Sequence, residues 1–116
     1  MNGIESIKLP APESNGGMSL AEAVAKRRSI RDFTADSLSR LQLSQILWSA
    51  QGETDTVWKC RAVPSAGATY PLHVYAVVGQ GGVEELEAGV YYYNAGRHAL
   101  ILHKQGDMRS ALSRAA

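Results

Sequence analysis

Apolar residues recur at helical spacing in the first half of the chain. The spacing i, i+3, i+4 and i+7 predicts a helix with one buried stripe, formed by Leu43, Ile46, Leu47 and Ala50. Gly52 follows this stripe and is expected to be the left-handed residue that ends the helix. An earlier and shorter pattern, Leu20 followed by Val24, predicts a helix from Leu20 to about Arg28.

Both predicted helices begin with a capping-box sequence. In "SLAE" the Ser19 hydroxyl can accept from the backbone N–H of Glu22, whose side chain can bond back to Ser19. "SRLQ", which starts at Ser39, repeats this arrangement, and Leu38 is placed to pack against Leu43 as a hydrophobic staple. These two starts are the strongest local signals in the chain.

The second half of the chain has the pattern of strands. "LHVYAVVG" predicts a strand that ends at the "GQGG" turn, and "GVYYYN" and "RHALILHK" flank a turn to form an antiparallel hairpin. In the last strand Ala99, Ile101 and His103 share one face and two leucines share the other, so both faces are expected to be covered. A further helix begins near Asp107, and its apolar residues are expected to dock on the sheet edge or on a second chain: Met108 and Leu112.

Length and composition indicate one ordinary globular domain. The chain has 116 residues, of which 45% are hydrophobic and 20% are charged. Residues 1–17 contain proline and asparagine–glycine breaks and are expected to form a flexible arm, with the domain over 18–116. The net charge of +1 excludes a global field for nucleic acid, so any anion site must be local.

Other classes of protein find little support in the sequence. Cys60 is the only cysteine, which is typical of an intracellular chain, and the cytoplasm is the expected location. The start has no basic segment and apolar core of a secretory signal, and no run approaches the length of a membrane span. The three histidines are scattered among strand-like residues, so no metal site is expected: His73, His98 and His103.

The stretch "RRSIR" places three arginines and a serine at the end of the first predicted helix. Guanidinium groups match phosphate oxygens bidentately, and a hydroxyl adds a short neutral donor. Ile30 and Phe33 are expected to point into the core and hold these groups in place. The alternative is a solvated helix end, since most charge runs are surface. No Walker or dinucleotide-binding glycine motif is present.

A second loop, "PSAGATYP", combines small residues with flanking prolines. Its prolines restrict the backbone, and its glycine allows close approach to a flat ligand. Such a loop suits the apolar faces and polar edge of a flavin, but a tight turn leading into a strand explains the same residues.

Four stretches occur in an order that resembles the N-terminal part of nitroreductase-like flavoproteins: "RRSIRDF", the helix ending in "WSAQG", "RAVPSAGATYPLHVYAVV" and "GVYYYN". The branch most similar contains the dehydrogenases that oxidise azolines in thiazole- and oxazole-bearing peptides. The resemblance implies an α+β fold, with a mostly antiparallel central sheet wrapped by helices, and FMN as cofactor. It assigns the FMN phosphate and ribityl chain to Arg27, Arg28, Ser29 and Arg31, and the ring to a loop from the other subunit of a homodimer, Pro64, Ser65, Ala66 and Gly67.

The resemblance also implies an activity. Hydride would pass through flavin N5 from NAD(P)H or a substrate to a nitroaromatic, quinone or peptide azoline acceptor. No side chain is an obvious general acid or base, and Tyr70 is open between lining the site and packing. Members of the family are longer, so a homodimer or a chain supplying the missing C-terminal half is expected. Two alternatives stay open: a non-catalytic or partial flavin-binding dimerisation module, and an inert truncation.

Overall fold

The secondary structure comprises four strands and three helices within residues 6–54, 58, 60, 61 and 72–115, which are the residues described by the computed structural model. The remaining positions include the whole "PSAGATYP" loop. In chain order the elements are β1 (Ser6–Lys8), α1 (Leu20–Lys26), α2 (Arg40–Gln51), β2 (Tyr75–Val78), β3 (Gly89–Asn94), β4 (Ala99–Gln105) and α3 (Arg109–Ala115).

The strands form one antiparallel sheet in the order β1-β4-β3-β2. The hairpin predicted from the sequence is confirmed as β3 and β4, joined by the turn over residues 95–98. The expected α+β class with an antiparallel sheet is confirmed as well. An irregularity between Val90 and Tyr91 shifts the register, so Val90 pairs with Lys104 while Tyr91 pairs with Leu102.

β1 is the element that the sequence patterns did not predict. Ser6–Lys8 pairs along β4, and Leu9 continues the contact by donating its N–H to the His98 carbonyl at 3.1 Å. Leu9 itself is buried in the core. Three residues are too short for a period-two pattern to be recognised, because strands of that length carry only one or two inward positions.

The core lies between α2 and one face of the sheet. Its buried members come from α2, the strands and the loops between them: Leu9, Leu43, Leu47, Val78, Val83, Leu86, Tyr91, Tyr93, Ala95 and Leu100. The predicted stripe on α2 is partly wrong, because Ile46 is 54% exposed while Ser44 and Gln51 are buried beside the leucines. The Ser44 side of α2 faces inward, and its hydroxyl bonds to Pro10, after β1, and to His98, in the turn before β4.

The helix ends follow local chemistry. The complete capping box is present at Ser39 and Gln42, and Ser19 accepts from the Glu22 N–H at the start of α1. Gly52 is not left-handed as predicted: its φ is −65° and its ψ is 147°. It is required for another reason, because a Cβ there would lie 2.1 Å from Trp48 Cδ1.

The two short helices bury none of their residues. α1 ends at Lys26, two residues before the predicted end, and both Leu20 and Val24 are exposed. α3 also has no buried residue, and Leu112 is exposed, so Leu112 does not dock on the sheet edge within the described residues, while Met108 is half-buried. Docking of these side chains on a second chain stays a prediction. α3 is held near β2 by Asp107, whose carboxylate accepts from the Gln80 N–H and from the Arg109 side chain.

Leu38 pairs with Val83 in an isolated bridge rather than standing at a free helix start. Its N–H donates to Gly82 O at 2.9 Å, and its carbonyl accepts from Glu84 at 2.8 Å. The segment that leads into α2 is therefore tied to the β2–β3 connection, which positions the helix over the sheet.

Candidate functional site

The arginine cluster lies at the C-terminal end of α1. Arg27 is the C-cap residue, and Arg28, Ser29 and Arg31 continue into an irregular segment. All four are exposed. Within the described residues, Arg27 and Arg31 form no ion pair, so their guanidinium donors are available to an anion.

Arg28 differs from its neighbours because its guanidinium turns back to α1. Its Nη1 donates to the carbonyls of Ala25 at 3.3 Å and Arg27 at 2.7 Å. Carbonyls at a helix C-terminus lack intrahelical partners and carry partial negative charge, so a cation is favourable there. Of the three arginines, Arg28 therefore serves the helix end, as the solvated-surface alternative expects, whereas the guanidinium groups of Arg27 and Arg31 do not.

The expectation that Ile30 and Phe33 anchor this cluster in the core is wrong for this chain. Ile30 is 66% exposed and Phe33 is 83% exposed. The reason is that α1 and the segment after it have no buried residue against which these side chains could pack. Local spacing is compatible with inward-pointing side chains, but it does not supply the opposing surface.

The second predicted loop, Pro64 to Gly67, lies outside the described residues, but both of its flanks are anchored. On one side Glu53 pairs with Arg61, and Arg61 Nη1 donates to Gln51 Oε1 at 3.2 Å. On the other side Val74 O accepts from Tyr93 N at 3.0 Å. Arg61 and Val74 line one small cleft of about 40 Å³, so these two described residues lie close together.

A buried hydrogen-bond network is centred on His98. Its Nδ1 is 2.7 Å from the Tyr93 hydroxyl, and its Nε2 is 2.7 Å from Ser44 Oγ and 3.0 Å from Pro10 O. Ser44 Oγ donates to the same Pro10 carbonyl at 2.5 Å and is fully buried. The bonds are mutually consistent when Tyr93 donates to Nδ1 and the Nε2 proton points to Ser44 and Pro10, which assigns a neutral imidazole.

The pKa shifts in this network favour its neutral form. Burial is the main cause that lowers the pKa of His98, with Lys8 adding to the effect, while the hydrogen bond to Pro10 opposes it. Burial also raises the pKa of the Tyr93 hydroxyl to about 12, with Arg61 lowering it and Glu53 raising it. Both groups are therefore uncharged at neutral pH, and the network joins the N-terminal segment, α2 and the hairpin.

Sequence reasoning misses this network, because the pattern places His98 only near the start of the strand "RHALILHK". One local signal exists: His98 has φ of 50°, in a "NAGRH" turn that predicts unusual backbone angles. No local pattern connects it to Ser44, 54 positions away. Because the Ser44 hydroxyl is buried and bonded to Pro10, the arrangement holds segments together and is not an exposed nucleophile.

Two classes of site are not found in the part of the chain that the structure describes. No group of three or more histidine, cysteine, aspartate or glutamate side chains could hold a metal ion there. Within the same residues, no helix has the length and apolarity needed to cross a membrane.

Comparison with known proteins gives two curated relatives. A nitroreductase-like protein of Methanocaldococcus jannaschii is 41% identical over 95 residues, which are 82% of this chain and 45% of that protein. The trifolitoxin-processing protein of Rhizobium leguminosarum bv. trifolii is 35% identical over 101 residues, which are 81% of this chain and 26% of that protein. These matches agree with the resemblance found in the sequence, including its branch of peptide-processing proteins.

Solved structures match over almost the whole chain. A nitroreductase-like protein from Ralstonia eutropha superposes with a TM-score of 0.79 at 32% identity, covering 90% of this chain and 46% of that one. One from Anabaena variabilis shares the fold alone, with a TM-score of 0.70 at 23% identity and 23% of its length covered. This chain thus spans less than half of each relative. Residues 24–115 match the pattern that defines the nitroreductase family. The matched region includes the arginine cluster and every strand of the sheet except β1. The chain therefore belongs to the nitroreductase family.

Proposed function

We propose that this chain carries part of the site of an FMN-dependent oxidoreductase. The observation that supports it best is the cluster at the end of α1, where Arg27 and Arg31 are exposed and form no ion pair within the described residues. This cluster lies inside the region that matches the nitroreductase family. Family membership supports an oxidoreductase; the identity of the flavin is our proposal.

The donor set suits a phosphate monoester. Arg27 and Arg31 would each present a planar pair of N–H donors, and Ser29 would add a hydroxyl. Arg28 already uses Nη1 on two carbonyls, so it would contribute its remaining N–H groups or stabilise α1. A local cluster of this kind can bind an anion even though the net charge of the chain is +1.

The second loop would complete the site. We propose that Pro64, Ser65, Ala66 and Gly67 contact the flavin ring, with Gly67 allowing close backbone approach. On either side of these residues, Arg61 donates to Gln51 and the Val74 carbonyl accepts from Tyr93. When bound, FMN would supply two-electron chemistry between NAD(P)H or a reduced substrate and an acceptor such as a nitroaromatic, a quinone or a peptide azoline.

We further propose that the chain acts as a homodimer or with a polypeptide that supplies the rest of the domain. The support is the apolar surface of α1 and the segment after it, where Leu20, Val24, Ile30 and Phe33 are all exposed. Large apolar side chains that are exposed together along one segment are typical of an interaction site. The single Cys60 supports action in the cytoplasm.

A second candidate is a non-catalytic module that keeps the fold and binds flavin weakly or not at all. It is favoured by the exposure of Ile30 and Phe33, because the arginine cluster then has no support from the core. The two candidates differ in flavin content, since only the first requires stoichiometric FMN.

The proposal is tested by titrating FMN and following the quenching of its fluorescence. Arg31→Ala should weaken binding by about 1.5–3 kcal/mol, the range for a hydrogen bond to a charged group. Arg31 is chosen because Arg28→Ala would also remove bonds to the end of α1. Arg114→Ala, an equal loss of charge on exposed α3, is the control. Equal affinities for wild type and Arg31→Ala would refute the assignment, and absence of binding would favour the module.

A further inference from the structure

A cleft lies between the N-terminal segment, the end of α2 and the β3–β4 turn, and we call it the turn cleft. Its volume is about 390 Å³, within the range of roughly 300–1,000 Å³ that is typical of small-molecule sites. Most of its wall is apolar: Leu9, Ala11, Pro12, Trp48 and Ala95. Two side chains of opposite charge also line it, Lys8 and Glu53.

The Trp48 indole is a fixed part of the apolar wall. It is half-buried, and the Gly52 backbone packs so closely against it that a Cβ at Gly52 would lie 2.1 Å from Trp48 Cδ1. The Gly52 N–H also donates to the Trp48 carbonyl at 2.7 Å. A rigid aromatic wall suits the apolar body of a ligand, because the ring loses little conformational freedom when the ligand binds.

The acidic group of the turn cleft is available to a ligand. Glu53 is half-buried, and within the described residues its carboxylate forms no hydrogen bond and no ion pair. Arg61 stands opposite Glu53 in the backbone bridge, but its Nη1 donates to Gln51 Oε1. A partly desolvated carboxylate is stabilised by a cationic partner.

The basic group of the cleft is held in position. Lys8 Nζ donates to the Arg97 carbonyl, which leaves further N–H donors of the ammonium for an anion. His98 also lines the cleft, but its two ring nitrogens are bonded within the network described above, so it adds no charge. The cleft therefore presents one positive and one negative group.

The two charged groups lie at adjacent residues of the same turn. Lys8 Nζ is bonded at Arg97, and Glu53 Oε2 is 3.6 Å from the position that a Cβ of Gly96 would take. The Cα atoms of adjacent residues are about 3.8 Å apart. Lys8 and Glu53 nevertheless form no ion pair with each other. A ligand whose own charges are close together can therefore contact both.

We propose that the turn cleft binds a free α-amino acid with an apolar side chain. The ligand ammonium pairs with Glu53, its carboxylate pairs with Lys8, and its side chain packs against Trp48. Complementary charge selects this class, because a ligand with only a cation meets the like charge of Lys8 and one with only an anion meets that of Glu53. The proposal involves neither the arginine cluster nor FMN.

The test compares ligands that share one phenyl ring and differ in charge. L-Phenylalanine is the zwitterion, phenethylamine lacks the carboxylate, 3-phenylpropionate lacks the ammonium, and the tripeptide Phe-Gly-Gly has its two charges far apart. A Trp58→Phe background leaves Trp48 as the only tryptophan, so its fluorescence reports binding at the cleft. Titrations are run near neutral pH without FMN.

L-Phenylalanine should bind at least about tenfold more tightly than each of the other three ligands, as expected for one added hydrogen bond between charged groups. Glu53→Gln should remove its advantage over 3-phenylpropionate, and Lys8→Met should remove its advantage over phenethylamine. Glu84→Gln and Lys104→Met, which remove exposed charges outside the cleft lining, should change neither ratio.

Three results would overturn the proposal. The first is the absence of saturable binding of L-phenylalanine up to about 10 mM, and the second is equal affinity for L-phenylalanine and any of the other three ligands. The third is a preference for L-phenylalanine that neither Glu53→Gln nor Lys8→Met changes, since the site would then lie elsewhere. The wild-type comparison decides between these outcomes even where a variant is too unstable to titrate.

Discussion

Replacing His98 by asparagine is the sharpest test of what holds the hairpin to the N-terminal segment. Asparagine tolerates the positive φ of 50° at this position, so the change removes the imidazole without forcing the backbone. The shorter amide cannot span from Tyr93 to Pro10, which His98 contacts at 2.7 and 3.0 Å. The buried Tyr93 hydroxyl would lose its partner, whereas Pro10 O would keep its bond from Ser44.

The expected loss follows from these two bonds. An orphaned buried hydroxyl costs about 1–3 kcal/mol, and the lost bond to Pro10 contributes about 1 kcal/mol. The free energy of unfolding in urea, followed by tryptophan fluorescence, should therefore fall by about 2–4 kcal/mol in His98→Asn. His103→Asn, at an exposed position of β4, should change it by less than about 0.5 kcal/mol.

A double-mutant cycle separates the network from a general packing effect. Tyr93→Phe should destabilise the wild type by about 1–3 kcal/mol and the His98→Asn protein by much less, because the hydroxyl has already lost its partner. The reasoning is refuted if Tyr93→Phe costs the same in both backgrounds, or if His98→Asn is no more destabilising than His103→Asn.

Three further predictions follow from other parts of the chain. Because burial lowers the pKa of His98 below its unfolded value of 6.5, the stability contributed by its neutral form should be complete above about pH 6.5 and decrease as the pH falls through the folded pKa. The urea midpoint of the wild type should therefore fall with pH in this range, and that of His98→Asn should depend on pH less steeply. Gly52→Ala should reduce stability by about 1–3 kcal/mol because its Cβ would overlap Trp48, while Gly96→Ala, whose nearest contacts are at 3.6 Å, should be nearly neutral in the same urea assay. Sedimentation at micromolar concentration should show an associated species that Leu20→Ser weakens, and a single monomeric species for wild type would contradict the proposed dimer.

The chain spans less than half of each relative, and flavin binding and association are proposed for it as two separate properties. Flavin affinity and association state test two different surfaces, which are the arginine cluster and the exposed apolar side chains of α1. The two proposals can therefore succeed or fail independently.

The candidate site was predictable only in part. The arginine cluster follows from five consecutive residues, and its position at a helix end follows from the α1 cap at Ser19. The state of Arg28 was not predictable, because its bonds to Ala25 and Arg27 depend on where α1 ends. The assignment of Pro64 to Gly67 stays a prediction, since those residues are outside the described part of the chain.

The sequence by itself determined the elements whose bonds close within a few residues. The caps at Ser19 and Ser39 bond to N–H groups three positions ahead, and the β3–β4 hairpin closes across a short turn, so local residue types are sufficient to specify them. Only the tertiary structure decided which side of α2 is buried, that Ser6–Lys8 joins the sheet, and that Ser44, Tyr93 and His98 meet. These contacts join residues up to 95 positions apart, as Ser6 and Ile101 are. No periodicity within one element can specify them, because the partner that makes a position buried lies on another element.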